Sequence, residues 1–180
     1  MSKAVLISIR SEWCQKIMEG QKTIEVRKTR PKMDTPFKCY IYCTQSADML
    51  WILKERERSL HPDKIADVFK AAKCGGAYRG NGKVIGEFLC DQIIEDRTYG
   101  HNEEFYRAAR MSAYDAAAYA MQSPMYGWHI SDLRVYDHPR DLREFYAVPN
   151  EVEVALKVKP KPITRPPQSW RYVEEELWND

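Results

Sequence analysis

No apolar run in this 180-residue chain is longer than a strand. A helix needs about 20 consecutive apolar residues to span a bilayer, so a membrane helix is excluded. The start, Met-Ser-Lys-Ala running into an alternating pattern, lacks the apolar core of a secretory signal, and the expected compartment is the cytoplasm. Cysteines are few: Cys14, Cys39, Cys43, Cys74 and Cys90 are odd in number and include no C-x-x-C pair. That pattern predicts reduced, buried thiols rather than disulfides or zinc, with no metal or cofactor expected. Glycine is also scarce and wrongly spaced for a phosphate-binding loop. From Gly76 to Gly82-Lys83 is one residue too long, and Val84 stands where a serine or threonine is needed, so a hairpin turn is expected there. No helix-turn-helix signature, zinc-finger signature or internal repeat is present.

What the chain does contain is a core. Apolar residues make up 44% and aromatics 12%, enough for one folded domain over 1–180. The net charge of +2 is too small to imply nucleic acid, but its distribution is uneven. Residues 1–40 hold nine basic and four acidic side chains, and residues 157–171 hold five basic and no acidic ones. If these two stretches meet, they form a positive surface.

Residues 3–9 alternate as a strand, and Ser11 is placed to cap a helix running to Glu19. A strand follows to about Arg30, and Lys38–Thr44 reads as a central strand. The segment at about 46–73 changes character and reads as a helical insertion, with a helix starting at His61-Pro62-Asp63. Strand Lys83–Asp91 comes next, then helices over 102–110 and Ser112–Gln122. A strand leads to about Tyr136, a turn is expected at Asp137-His138-Pro139, and Val152–Val158 reads as the last strand. The arm at about 159–180 begins proline-rich and extended. Five or six short strands with intervening helices and no βαβ rhythm predict an α+β fold on a small β-barrel.

The most informative run is Gly20-Gln21-Lys22-Thr23-Ile24-Glu25-Val26-Arg27. Glycine lets the preceding helix stop in a left-handed conformation. The strand period of two then puts Ile24 and Val26 on one face and Glu25 and Arg27 on the other. A surface ladder of ion pairs is one reading. The other is a cleft, in which a buried Lys22 acts as a base partnered by Glu25, or Lys22 and Arg27 clamp a phosphate.

Aromatic residues add candidates for stacking on bases. Trp13, Trp128 and Trp170 are candidates if partly exposed, Trp170 foremost because it follows the basic arm, and the alternative is that all three are core residues. His129 is a candidate ligand-binding residue. With Ser131 and Asp132 it cannot form a catalytic triad, because neighbours on a strand point to opposite faces. Glu87, on the polar face of its strand, is a candidate second carboxylate.

The pattern Gly20-x-Lys22-x-x-Glu25-x-Arg27, after a helix containing Trp13, resembles the signature of ASCH domains, of the PUA-like superfamily. Gly82-Lys83-Val84-Ile85-Gly86-Glu87-Phe88, Gly127 to Leu133 and Pro166-Pro167-Gln168-Ser169-Trp170 resemble stretches of a phage and bacterial branch of that family. The resemblance implies a small PUA-like barrel with flanking helices and a cleft at the motif. It also implies RNA binding, often to a modified base. Some short bacterial relatives resemble amidohydrolases acting on acetylated cytidine. Their lysine matches Lys22, but a threonine stands where this chain has Glu25; other members are nuclease-like.

The expected function is therefore an RNA-binding module. Lys22 and Arg27 hold a phosphate or base edge, Glu25 accepts from a base amino group, and Trp13 or Trp170 stacks. The alternative is a hydrolase of nucleosides or RNA, with Lys22 as base and Glu25 or Glu87 as partner. A protein partner through the 46–73 insertion is a third expectation.

Overall fold

The computed structural model describes residues 2–58, 65–98, 101–121 and 123–175. The expected helix start at His61-Pro62-Asp63 and the end of the arm lie outside the described residues. Strand β1 (Lys3–Ile9) leads into helix α1 (Ser11–Met18) and strand β2 (Ile24–Arg27). Strands β3 (Phe37–Cys43) and β4 (Trp51–Leu53) precede helix α2 (Ile65–Lys73) and strands β5 (Ala77–Arg79), β6 (Val84–Cys90) and β7 (Ile93–Asp96). Helices α3 (Glu103–Ala109) and α4 (Ala113–Ala120) are followed by strands β8 (Met125–His129) and β9 (Ser131–Arg140). Helix α5 (Glu151–Ala155) and strand β10 (Trp170–Glu174) complete the fold.

Five strands form the central sheet in the order β10-β1-β3-β6-β9, with β1 and β3 parallel and the other pairs antiparallel. Strands β2, β8 and β7 form a second sheet, and β4 pairs with β5 in a third. The α+β class holds, but the sheets do not close into the expected barrel. Edge strands remain on each sheet, and helices and the second sheet cover the faces instead.

Period-two alternation divides the cores. Val5, Ile7, Cys39, Ile41 and Phe88 face one way, against Cys14 and Ile17 of α1 and Trp128 of β8. Leu6, Tyr40 and Tyr42 face the other way, against Phe145, Ile163 and Val173. A third core joins Ile24 and Val26 of β2 to Phe105 and Ala109 of α3 and to Ala116 and Ala120 of α4. Close approach of α3 depends on Gly127, where a Cβ would stand 2.3 Å from the Phe105 ring.

Several expectations require correction. The 46–73 insertion is not simply helical: it includes β4 and a 3-10 turn before α2. Residues 137–139 continue β9 rather than turning. The expected strand at 152–158 is instead α5 and its end. Asn150 accepts from the Glu153 amide, and Glu153 returns the bond to the Asn150 amide, a capping box that starts a helix where no strand offers a partner. Ser11 does not cap α1, and its hydroxyl hydrogen-bonds Ser46 at 2.8 Å instead. Strand β10 falls in the arm, where proline content concealed it.

Candidate functional site

The motif begins where α1 ends. Gly20 has φ +69°, and the chain turns back so that the amides of Gln21 and Lys22 both donate to the Lys16 carbonyl, at 2.9 and 3.0 Å. This double anchor fixes the turn and sends the Lys22 side chain inward. In the next strand Glu25 stands opposite Trp128 on β8, and Val26 opposite Gly127. Ile24 and Val26 enter the third core, which leaves Glu25 and Arg27 on the face towards α1 and β1.

Three charges meet there. Lys22 is 4% exposed; its Nζ donates to the Ala109 carbonyl at 2.7 Å and lies 3.4 Å from Glu25 Oε2. Arg27 Nη2 lies 3.1 Å from Glu25 Oε1 and donates to the Ser8 carbonyl at 2.6 Å. A buried carboxylate thus sits between two cations, each also tied to the backbone of a different element. Burial pushes the Lys22 amine below its ordinary pKa, and the negative charge of Glu25 opposes that fall. Yet hydrogen bonding is incomplete: Glu25 Oε2 and Arg27 Nε are buried without a hydrogen-bond partner. A buried polar atom left unpaired costs about 1–3 kcal/mol, and at Glu25 Oε2 the Lys22 ammonium 3.4 Å away offsets part of that cost.

The residues of the motif line a cavity of about 520 Å³. Trp13, Lys22, Glu25 and Arg27 all border it, together with Arg10, Arg110, Asp115, Tyr119 and Gln168. Four cations against two carboxylates make its lining positive. The Trp13 ring has the Lys16 ammonium 4.5 Å from its centroid and that of Lys22 at 5.2 Å, so cations engage its π-system. Burial pushes the Tyr119 phenol above its ordinary pKa, and the positive charge of Arg27 opposes that rise. Lys28 lies 5.0 Å over the same ring. A larger cavity of about 850 Å³, mostly apolar, lies on the other side of α1.

The remaining sequence candidates lie elsewhere. Glu87 is on β6, which pairs with β3 and β9 rather than with β2. Its carboxylate accepts from Tyr136 Oη at 2.7 Å on the face of the central sheet away from the motif. His129 pairs across to Ile24, and its Nδ1 is 2.6 Å from Asp91 Oδ1. The Trp170 ring packs edge-on against Trp128 and Tyr172, at 5.7 and 5.5 Å, and its Nε1 donates to Thr29 at 3.0 Å. From this arm Gln168, not Trp170, reaches the cavity. Trp128 is fully buried.

Sequence reasoning missed Arg10, Arg110, Asp115 and Tyr119. A partial signal exists, since Ser112 caps α4 and Asp115 and Tyr119 lie one turn apart on one face. Nothing in the sequence says that this face meets β2. Among the described residues, no three His, Cys, Asp or Glu side chains cluster as a metal site, and no helix is long and apolar enough to cross a membrane.

Comparison with known proteins points one way. The family model for the ASCH domain matches residues 7–154. The crystal structure of an ASCH protein from Zymomonas mobilis is 16% identical, with a TM-score of 0.57 over 96% of this chain and 88% of that one. Two point-mutant structures of the same protein, also 16% identical, give TM-scores of 0.57 and 0.58. The first covers 97% of this chain and 92% of that one, the second 96% and 89%. No curated protein matches the sequence.

Proposed function

Because the chain belongs to the ASCH domain family, a family generally linked to RNA binding, we propose that it binds RNA by taking one unpaired base into the motif cavity. The positive lining of the motif cavity, with Trp13 on its border, carries this reading. At its wall the Glu25 carboxylate accepts and the Arg27 guanidinium donates, which suits the edge of a base offering an amino group beside an acceptor. A cavity of about 520 Å³ lies within the range usual for small-ligand sites. Arg10 and Arg110 border it as phosphate contacts. We extend the proposal to a modified base as the ligand and to the cytoplasm as the compartment. The PUA-like kinship and the phage and bacterial branch belong to the same reading.

One observation favours a second reading. A buried lysine with a lowered pKa beside a carboxylate suits general-base chemistry. In a hydrolase, Lys22 would take a proton from water attacking a nucleoside or RNA substrate, with Glu25 as its partner.

End-labelled single-stranded RNA incubated with the wild type, Lys22→Ala and Arg110→Ala separates the two. Retarded, intact RNA that both variants release supports the binding module. Cleavage that Lys22→Ala abolishes while retardation persists supports the hydrolase. If the wild type neither retards nor cleaves RNA, both oligonucleotide readings fail, and free modified nucleosides become the next probes, beginning with acetylated cytidine.

A further inference from the structure

Two exposed apolar surfaces have no role in the motif cavity. The first is the larger cavity on the other side of α1. Its wall is built from Met18, Met49, Trp51, Phe69, Leu133 and Val135, with Ile65 at its mouth. Three of its side chains are conspicuously wet for their size: Met49 is 57% exposed, Ile65 72% and Phe69 48%. The charges available at its margin are acidic. Asp48 and Glu19 are both exposed there, and Glu19 accepts a hydrogen bond from the neutral Gln15. The cation at this cavity, Arg58, is already spent on Asp137 and on the carbonyls of Leu53 and Val135.

The second surface is α5 and the residues after it. Val152, Val154 and Leu156 are 57–70% exposed, and Val158 is exposed as well. Val152 and Leu156 lie one turn apart, so they present a single ridge. Lys157 and Lys159 follow directly and are exposed. One surface is therefore an apolar groove with acidic margins, and the other an apolar ridge with a basic end.

They cannot meet within one molecule. The groove takes Leu133 and Val135 from β9, one edge of the central sheet. The segment carrying α5 is anchored at the opposite edge, where Ala147 bridges Val173 of β10. Five strands at the usual spacing put those edges about 19 Å apart. We propose that this chain self-associates, with the Val152–Val158 ridge of one copy seated in the Met49–Phe69 groove of another and Lys157 and Lys159 facing Asp48 and Glu19. Because the two surfaces differ, the contact is head-to-tail.

Self-association is read by sedimentation of the full chain across about a hundredfold range of concentration. The mass should rise from 21.1 kDa towards at least twice that value. Phe69→Glu and Leu156→Glu replace exposed side chains and should leave the circular dichroism unchanged. Each variant alone should stay monomeric, because one lacks a working groove and the other a working ridge. An equal mixture should form a one-to-one dimer, since the intact groove of Leu156→Glu still receives the intact ridge of Phe69→Glu. High salt should weaken the association. A wild type that stays monomeric throughout overturns the proposal. So does association that survives in either variant, or a mixture that remains monomeric, which would assign the groove to a different partner.

Discussion

Replacing Glu25 by glutamine should expose how the motif is held together. The change keeps shape and removes one negative charge from between two cations, Lys22 at 3.4 Å and Arg27 at 3.1 Å. Removing one partner from a buried ion pair costs about 3–5 kcal/mol, because the remaining charge is left uncompensated. For a chain of this length each kcal/mol moves Tm by about 2–4 °C, so a fall of about 10 °C is expected at neutral pH. The loss should also depend on pH in a defined direction. Lys22 already has a lowered pKa from burial, and losing Glu25 removes what opposed that fall. The unfolded chain then binds more protons than the folded one between the lowered pKa and the ordinary lysine value. Stability therefore rises with pH across that window. Thermal or urea unfolding of wild type and Glu25→Gln at pH about 7 and about 9.5 should show a gap that narrows at the higher pH. Lys22→Met combined with Glu25→Gln should cost less than the two single changes added together. If Glu25→Gln stays within about 1 kcal/mol of wild type at both pH values, the three charges do not act as a buried unit and the account of the site fails.

Other expectations follow from the same geometry. Gly127→Ala should destabilise by about 1–3 kcal/mol, because its Cβ would stand 2.3 Å from the Phe105 ring; Phe105→Leu should recover part of this in a double variant measured by urea unfolding. Ser112→Ala removes the hydroxyl that accepts from the Asp115 amide and should cost about 1 kcal/mol, seen as earlier loss of helical signal on heating. The hydrogen bond from His129 holds Asp91 below the ordinary carboxylate pKa, so the stability it contributes is present above the unfolded value and is lost as pH falls through the folded one. Asp91→Asn should flatten the acid limb of the stability curve, and an unchanged limb would rule the pair out as a contributor. If the cavity binds RNA as proposed, Arg110→Ala should weaken retardation and lower the salt slope by about one.

Much of the motif could be read from residue types alone. Glycine at 20, and the alternation of Ile24 and Val26 with Glu25 and Arg27, follow from backbone sterics and the strand period, both local properties. What defeated sequence reading was long-range. Glu87 has the polarity expected of a site residue, but strand order carries it to the opposite face of the central sheet. Trp170 follows a basic arm as a stacking residue should, yet the pairing of β10 with β1 turns its ring onto Trp128. The Val152–Val158 alternation suits a strand, but a capping box two residues earlier favours a helix, and no neighbouring edge competes. The barrel expectation counted five or six strands where the described residues form ten in three sheets, and closure depends on which edges pair.

Strand β1 is synthesised long before β10, yet it pairs with it, so that Lys3 faces Glu174 and Ile7 faces Trp170. Gln168, just before β10, also forms part of the wall of the motif cavity. Contacts between distant parts of a chain form late, after the entropy of closing the intervening loop has been overcome. A growing chain that has reached only residue 160 already holds Lys22, Glu25 and Arg27, but neither the sheet edge nor the pocket wall is finished. The cavity is thus complete only once synthesis has passed residue 174, so partial chains of this protein should not compete with finished ones for its ligand.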